Sequence, residues 1–350
     1  MILHIASVEK FLPSFINFVN ENFDEKKHQF LLLGNRSKHP LTDHSNVTVS
    51  APTLIQTIKH YFIILKNLKK AEKIILHGLF DARVVILFSM MPWVLKKCYW
   101  VIWGGDLYFY QRPKLRKRDK VKEMFRAFVI KRMGYLVTYI PGDVALAREW
   151  YGAKGEYREC LMYLSNIVDK QFIANEFEQK EPVNEAINII VGNSADPSNN
   201  HIETLTKLAD YKEADIRLFV PLSYGDKKHA EKVISYGRQE FGEKFEPLTN
   251  FIPLNEYLNI LRTTDIAIFN HKRQQAMGNT ITLLGMGKTV YMRPDFTHTQ
   301  FLSYLGITFY DVANFKLEKL DDEVATRNQH IIYKYFSKEN LVKQLKYIFE

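Results

Sequence analysis

The sequence predicts an α/β protein made of two doubly wound, Rossmann-like parallel-sheet domains. Three observations carry that prediction. Short apolar runs alternate with amphipathic stretches of helical period through the first half of the chain. A polar, charge-rich stretch at 175–185 (NEFEQKEPVNE) interrupts the alternation, which then restarts without detectable repetition of the first half. With 350 residues, 46% hydrophobic and 25% charged, the chain is ordinary in composition but too long for one ordinary core.

In the first domain, 1–174, strands are predicted at 3–6, 30–33, 47–49, 73–76, 98–103 and 136–139. Helical patterns lie at 11–23, 54–69, 82–91, 121–132 and 144–150. Residues 175–185 are the linker. The second domain, 186–330, has strands at 187–191, 216–220, 266–269 and 290–292, with a further short one at 244–248. A last helical pattern, 338–349, comes after the second sheet is complete. Residues 331–350 are therefore expected to pack back on the first domain. Near-continuous apolar strands joined by helices call for a parallel sheet covered on both faces. Two such domains facing each other would bring the carboxyl ends of both sheets to a central cleft, where ligands of open α/β sheets bind.

The N-terminus runs straight into a strand and carries no basic leader, so no signal peptide is expected. The segment nearest to a membrane span, 84–95, is broken by Pro92 and followed by Lys96 and Lys97. Cys98 and Cys160 match no metal or redox spacing and fit a reducing compartment.

The net charge of +9 is unevenly placed. Between 112 and 132 stand Arg112, Lys114, Arg116, Lys117, Arg118, Lys120, Lys122, Arg126, Lys131 and Arg132, against Asp119 and Glu123 alone. Val121, Met124, Phe125, Phe128 and Val129 form an apolar stripe among them. Such a helix can rest on anionic lipid, track nucleic acid, or simply bury its stripe and solvate its lysines. Few aromatic residues interleave the lysines, which disfavours nucleic acid.

Candidate chemistry lies where strands become helices. Gly192-Asn193-Ser194 follows the strand at 187–191, and a helix capped by Ser198 would leave open N–H groups for phosphate. An ordinary β–α turn is the competing reading. Leu222-Ser223-Tyr224-Gly225 could place a hydroxyl and the Tyr224 ring at the same edge. Residues 269–279 leave an apolar strand as a polar, glycine-containing loop. There Arg273 offers a forked donor for diphosphate, and Gly278 and Asn279 let the backbone approach phosphate closely. Gln274 and Gln275 stand beside them. In the first domain, Trp103-Gly104-Gly105-Asp106-Leu107-Tyr108 ends a strand and presents Asp106 either as a general base or as a capping carboxylate. His77 ends another strand, as a second base or as a hydrogen-bonded core imidazole. His4, mid-strand, reads as structural.

Several signatures are missing from the sequence. There is no Asp-x-Asp for Mg²⁺, no Cys/His cluster for zinc, no GxxxxGK[ST], no GxGxxG after a strand and no GxSxG elbow. A two-sheet protein with diphosphate-binding loops and no metal motif points to a metal-independent glycosyltransferase of the GT-B type. No cofactor is expected beyond the sugar donor.

WGGDLY (103–108), VGNSADPSNNHI (191–202), VPLSY (220–224) and RQQ with a nearby glycine (273–278) resemble the TDP-N-acetylfucosamine:lipid II N-acetylfucosaminyltransferases, the 4-alpha-L-fucosyltransferases of glycosyltransferase family 56. Order and spacing match from the His77-Gly78 region to about Phe296; the ends match loosely. The resemblance implies a GT-B fold and transfer of a 4-acetamido-4,6-dideoxyhexose (Fuc4NAc) from its dTDP donor to a polyprenyl-diphosphate-linked saccharide. It implies work in enterobacterial common antigen or O-antigen synthesis, peripherally on the cytoplasmic face of the inner membrane. Gly192, Asn193, Ser194, Tyr224, Arg273, Gln274, Gln275, Gly278 and Asn279 would then hold dTDP. Trp103, Gly104, Gly105 and Tyr108 would meet acceptor or sugar, and Asp106 or His77 would serve as base. Arg116, Lys117, Arg118 and Lys120 would touch an anionic membrane; nucleic acid is not an expected partner.

Many GT-B enzymes grip the donor ribose with a glutamate in the helix following the third loop. Here that helix reads TITLLG (280–285), with no carboxylate, which suits a thymidine donor lacking the 2′-hydroxyl. The family often has Ala at Gly105 and Gly at Ala276, departures that touch the sugar-pocket loops and leave the exact donor sugar open. A nucleotide-sugar epimerase of the same architecture and a lipid- or nucleic-acid-binding adaptor are the competing classes.

Overall fold

The structure, a computed structural model, describes residues 1–37, 39–111, 116–168 and 186–350. The expected linker at 175–185, and Arg112 and Lys114 of the basic segment, lie outside the described residues. The chain divides into two compact units, Met1–Ser165 with Glu339–Glu350, and Asn166–Lys338.

The first unit runs β1 (Ile2–Ser7), α1 (Leu12–Asn22), β2 (His28–Leu33), β3 (Val47–Ser50), α2 (Leu54–Leu68), β4 (Lys73–His77), α3 (Ala82–Ser89), β5 (Cys98–Val101), α4 (Lys117–Arg132), β6 (Tyr135–Thr138), α5 (Pro141–Tyr151) and β7 (Glu156–Glu159). Its seven strands form one sheet in the order β3-β2-β1-β4-β5-β6-β7. Each neighbouring pair is parallel. Parallel strands need right-handed crossovers, so reversing the direction of travel between β3 and β4 moves the later helices to the opposite face from α1. Accordingly Ile64 of α2, Phe88 of α3, Ile130 of α4 and Ala147 of α5 share one core beneath that face.

The second unit runs β8 (Ile187–Val191), α6 (His201–Leu208), β9 (Ile216–Pro221), α7 (Lys227–Phe241), β10 (Phe245–Leu248), α8 (Leu254–Thr263), β11 (Ile266–Phe269), α9 (Met277–Gly285), β12 (Thr289–Met292), α10 (Thr297–Tyr304), β13 (Tyr310–Asp311) and α11 (Asp322–Tyr335). Its sheet is ordered β10-β9-β8-β11-β12-β13 and is again parallel throughout. The last helix, α12 (Lys338–Phe349), packs within the first unit. Lys73 Nζ donates to the Ile348 carbonyl at 2.8 Å, and Gln344 Oε1 accepts from Leu161 N at 2.8 Å.

Several elements depart from the sequence reading. β7 reads Glu-Tyr-Arg-Glu and has no apolar run, because it is an edge strand with partly exposed side chains. Gly134 and Gly155 let the chain pass there, since a Cβ on Gly134 would stand 2.0 Å from the Lys96 carbonyl oxygen. β13 has only two residues and no periodicity to read. Only the C-terminal half of the α4 stripe is buried: Val129 and Ile130 enter the core, while Val121 and Met124 remain exposed. Ser198 is not a helix cap. Asp196 caps a 3-10 turn at Pro197–Asn199, and α6 begins only at His201 after the left-handed Asn200.

Candidate functional site

In each sheet the strand order reverses at one place, β1/β4 in the first and β8/β11 in the second. Loops leaving the carboxyl ends of such a pair diverge and open a crevice, where doubly wound sheets bind ligands. Both sets of candidate residues lie beside these two points.

In the first unit the WGGD turn is held by Asp106. Its Oδ2 accepts from Trp100 Nε1 at 2.7 Å and Leu79 N at 2.9 Å, and its Oδ1 from Trp103 N and Leu107 N, both at 3.0 Å. Burial raises the pKa of Asp106, and the Trp100, Leu79 and Trp103 hydrogen bonds together with Arg126 act against it. Both oxygens are fully committed and the side chain is 1% exposed. The Asp106 carboxylate is thus a clasp joining β4, β5 and the turn, the geometry of the capping alternative. Gly104 has φ +70°, in the left-handed region, and shapes the same turn.

His77 is also enclosed. Its Nδ1 lies 2.7 Å from the Tyr163 hydroxyl and its Nε2 lies 3.1 Å from His4 Nδ1, whose own Nε2 lies 3.0 Å from His28 Nδ1. Trp103 Nε1 donates to the Tyr163 oxygen at 2.9 Å. An indole can only donate, which leaves the Tyr163 hydroxyl proton available to His77 Nδ1. With that proton given to His77, His77 and His4 are both Nε2–H tautomers and the chain runs Trp103→Tyr163→His77→His4→His28. Burial pushes His77 down to about 3 and His28 to about 4, and holds His4 well below the usual imidazole range. Both His77 nitrogens have partners, the geometry of the hydrogen-bonded core imidazole weighed against the base.

Trp103 keeps part of its ring exposed and meets Phe11, Phe80 and Tyr163 edge-to-face at 5.3–5.8 Å, an aromatic wall suited to a sugar face. Tyr108 does not join it. It is buried in the core, edge-on to Trp150, because the turn sends it beneath the sheet edge. A small pocket enclosing about 20 Å³ opens at the β1/β4 point, lined by Ser7, His60, His77, Gly78, Phe80 and Asp81 among others. His60 Nδ1 lies 3.1 Å from Ser50 Oγ. Asp81, which caps α3, accepts from Tyr61 and Arg83. Sequence reasoning missed Tyr163, His60 and Asp81. Tyr163 follows an edge strand with no motif, and His60 sits inside an amphipathic helix, where it reads as core.

In the second unit the loops interlock across the β8/β11 point. Gln275 Nε2 donates to Asn193 Oδ1 at 2.8 Å, and Asn193 Nδ2 donates to the Tyr224 hydroxyl at 3.2 Å. Ser198 Oγ donates to Gln275 Oε1 at 2.8 Å. Arg273 forms an ion pair with Asp196 at 3.4 Å, both side chains partly exposed. Asn279, in the first turn of α9, donates to the Tyr257 hydroxyl at 2.7 Å. Gln274 lies in the loop before α9 and Gly278 in the first turn of that helix, both partly exposed.

Beneath this layer the buried Asn199 is a hub. Its Oδ1 accepts from Asn193 N at 2.9 Å and pairs with His271 Nε2 at 2.9 Å, and its Nδ2 donates toward Ser194 Oγ and the Asp196 carbonyl. Gly192 must be glycine: φ is +69°, and a Cβ would lie 2.6 Å from His201 Nε2. The expected row of open N–H groups in this turn is corrected. Gly192, Asn193, Ala195 and Ser198 all spend theirs on internal acceptors. N–H groups without intrahelical partners lie in the first turns of α6 and α9, each entered through a left-handed residue, Asn200 and Ala276.

The protein is similar in fold to sucrose-phosphate synthase from Thermosynechococcus elongatus, with a TM-score of 0.67 at 13% identity over 100% of this chain and 98% of that one. HepE from Anabaena, solved with UDP, gives 0.67 at 8% identity over 99% of each chain. The trehalose-6-phosphate enzyme of E. coli, solved with UDP-2-fluoro glucose, gives 0.58 at 8% identity over 100% of this chain and 94% of that one. These likenesses establish the GT-B fold. The sequence model of the 4-alpha-L-fucosyltransferases, glycosyl transferase group 56, matches residues 3–339, so the resemblance reaches well beyond the segment 77–296. The chain is a glycosyltransferase and belongs to the 4-alpha-L-fucosyltransferase family, group 56.

Proposed function

We propose that the protein transfers a 4-acetamido-4,6-dideoxyhexose of the Fuc4NAc type from its dTDP donor to a polyprenyl-diphosphate-linked saccharide. Its setting would be surface-polysaccharide synthesis of the enterobacterial common antigen or O-antigen type, peripherally at the cytoplasmic face of the inner membrane. The observation that carries the donor reading is the Asn193–Gln275 bridge over the β8/β11 crevice, with Arg273 and the amino end of α9 beside it. A helix amino end and a guanidinium together favour a diphosphate. The helix offers no carboxylate to a ribose, in keeping with a deoxyribose donor.

In the reaction a bond forms between the acceptor oxygen and the anomeric carbon as the anomeric carbon–phosphate oxygen bond breaks, and dTDP departs. Negative charge grows on that diphosphate, so Arg273 and the α9 N–H groups act where the transition state needs them. Arg273 would exchange Asp196 for phosphate. Trp103 would stack on the acceptor, held by Tyr163 and His77. The acceptor proton must leave to a base, and of the two imidazoles lining the pocket, His60 and His77, we assign that role to His60, whose Nδ1 meets Ser50 Oγ.

Thermal-shift titration with dTDP, UDP, GDP and ADP tests the donor, since a ligand bound only by the folded state raises Tm. The largest shift is expected with dTDP; an equal or larger shift with UDP would overturn the deoxyribose argument. Product analysis with donor alone must show no sugar conversion, because only an epimerase would turn it over without acceptor.

A further inference from the structure

We propose that the outward face of α2 and α3 is a membrane-docking surface for an anionic bilayer, with the amino end of α4 as its basic flank. The inference deepens the lipid-linked acceptor reading and rests on it for the identity of the partner.

The faces of α2 are sharply divided. Thr57, His60, Ile64 and Leu68 are buried against the sheet. The opposite side carries Leu54, Ile55, Ile58 and Phe62, exposed by 78%, 66%, 48% and 67%. At 100° per residue these four fall within one 100° arc, with Lys59 and Lys66 at its border. In a solvated helix this face would be polar, so the inversion calls for an apolar partner. α3 repeats the pattern. Its outward side is Arg83, Ile86 and Met90, and the 3-10 turn that follows exposes Trp93 by 70%. The common core under α2, α3 and α4 puts these outward sides on one face of the first unit.

Charge selects the partner. Residues 54–70 contain four lysines and no Asp or Glu, and residues 82–97 contain Arg83, Lys96 and Lys97 and again no carboxylate. At the amino end of α4, Arg116, Lys117, Arg118 and Lys120 are all exposed around a helix terminus whose dipole is itself positive. Cations at that end repel the dipole and are relieved by anions. Apolar side chains that can insert, ringed by cations and by an exposed tryptophan, match the interface of a bilayer with anionic headgroups. A protein partner with an apolar patch and acidic rim would be the alternative, and a second copy of this chain would bring like charges together. No described helix is long and apolar enough to cross a membrane, so attachment through this face is peripheral.

The test is flotation of the full-length protein with phosphatidylcholine vesicles, and with vesicles containing phosphatidylglycerol as well. Binding is expected with the anionic vesicles and much less with the neutral ones. The variant I55D/F62D should bind at least tenfold more weakly while keeping its Tm, because both side chains are solvent-exposed. Its turnover of a water-soluble acceptor analogue should be unchanged. Replacing Lys117, Arg118 and Lys120 with Glu should weaken binding in low salt and have less effect at high salt. Failure of the wild type to bind anionic vesicles, wild-type binding by I55D/F62D, or loss of a dimer on that substitution would each overturn the proposal. Loss of donor specificity would instead overturn only the proposed reaction, so the two readings fail separately.

Discussion

The Tyr163 hydroxyl lies 2.7 Å from His77 Nδ1 and accepts the indole proton of Trp103 at 2.9 Å. One phenol thus joins a partly exposed aromatic wall to three buried imidazoles. Its pKa is pushed well above the usual phenol range by burial, so it remains a neutral donor. Tyr163→Phe would leave the part-buried Trp103 Nε1 and the buried His77 Nδ1 without this partner. Each orphaned group costs about 1–3 kcal/mol, so a clear fall in the urea midpoint is expected. If Trp103 binds acceptor, KM for acceptor should rise more than KM for donor in the same variant.

The imidazole chain also sets a pH dependence. His28 and His77 are lowered to about 4 and about 3, and an unfolded histidine titrates near 6.5. The unfolded chain therefore binds more protons as pH falls below 6.5, and the folded state is penalised there. The contribution is complete above pH 6.5 and is lost progressively toward pH 4 and below. Each such residue adds a slope of about 1.4 kcal/mol per pH unit in that window. Urea midpoints measured from pH 7.5 to pH 4.5 should fall with acidification, and the slope should shrink in His4→Phe or His77→Phe. A flat profile would show that these rings are hydrated.

Asp106 separates a clasp from a base. Asp106→Asn supplies one acceptor oxygen where two were used, and turns an amide toward backbone donors. Loss of stability by about 2–4 kcal/mol is expected, from two or more hydrogen bonds left unmade. A variant with native Tm and turnover lost by orders of magnitude would restore the catalytic reading. His60→Gln should do the converse, lowering turnover more than stability.

The fold was legible because parallel strands covered on both faces are written as apolar runs, as at β1, β4, β8 and β11 in the middle of the two sheets. β7 and β13 were not legible: β7 is an edge strand reading Glu-Tyr-Arg-Glu with no apolar run, and β13, of two residues, is too short to carry a pattern. The site was legible at the level of loops. Asn193, Tyr224, Arg273 and Gln275 do come together, because strand-to-helix loops converge at a switch point whatever their sequence. Roles were less so. Asp106 and His77 look reactive as residue types, and only their partners, Trp100 and Leu79 in one case and Tyr163 and His4 in the other, show them to be committed. Such contacts join positions up to 86 residues apart, and no local motif encodes them.

Three small-residue positions give opposite expectations. A Cβ on Gly105 would lie 3.5 Å from the Phe80 ring, ordinary contact distance, so Gly105→Ala should leave Tm within a degree or two. Gly192→Ala must displace His201 and force a left-handed alanine, and should cost several kcal/mol, with about 1–2 from the backbone alone. Ala276 already sits at φ +58°. Ala276→Gly relieves about 1–2 kcal/mol of that strain against about 0.4–1 kcal/mol of added unfolded-state entropy. Calorimetry should therefore find Tm unchanged or raised for Ala276→Gly. A large drop would mean that the Ala276 methyl is needed where the loop enters α9.

Arg273 is the sharpest test of the donor site. Its only described ion pair, with Asp196, spans 3.4 Å between partly exposed side chains and contributes little to stability. Arg273→Ala should therefore fold with a native Tm yet lose turnover about 10²-fold, the scale seen when one preorganised donor to developing charge is removed. Arg273→Lys keeps the charge but not the fork, and should recover only part of the loss. Asp196→Asn frees the guanidinium while still offering an oxygen to Ser198 N, so donor KM should fall or stay level. Steady-state kinetics with the dTDP-sugar decides among these outcomes. Wild-type turnover in Arg273→Ala would remove the guanidinium from the donor site and shift the leaving diphosphate onto the amino end of α9 and its neighbouring loops.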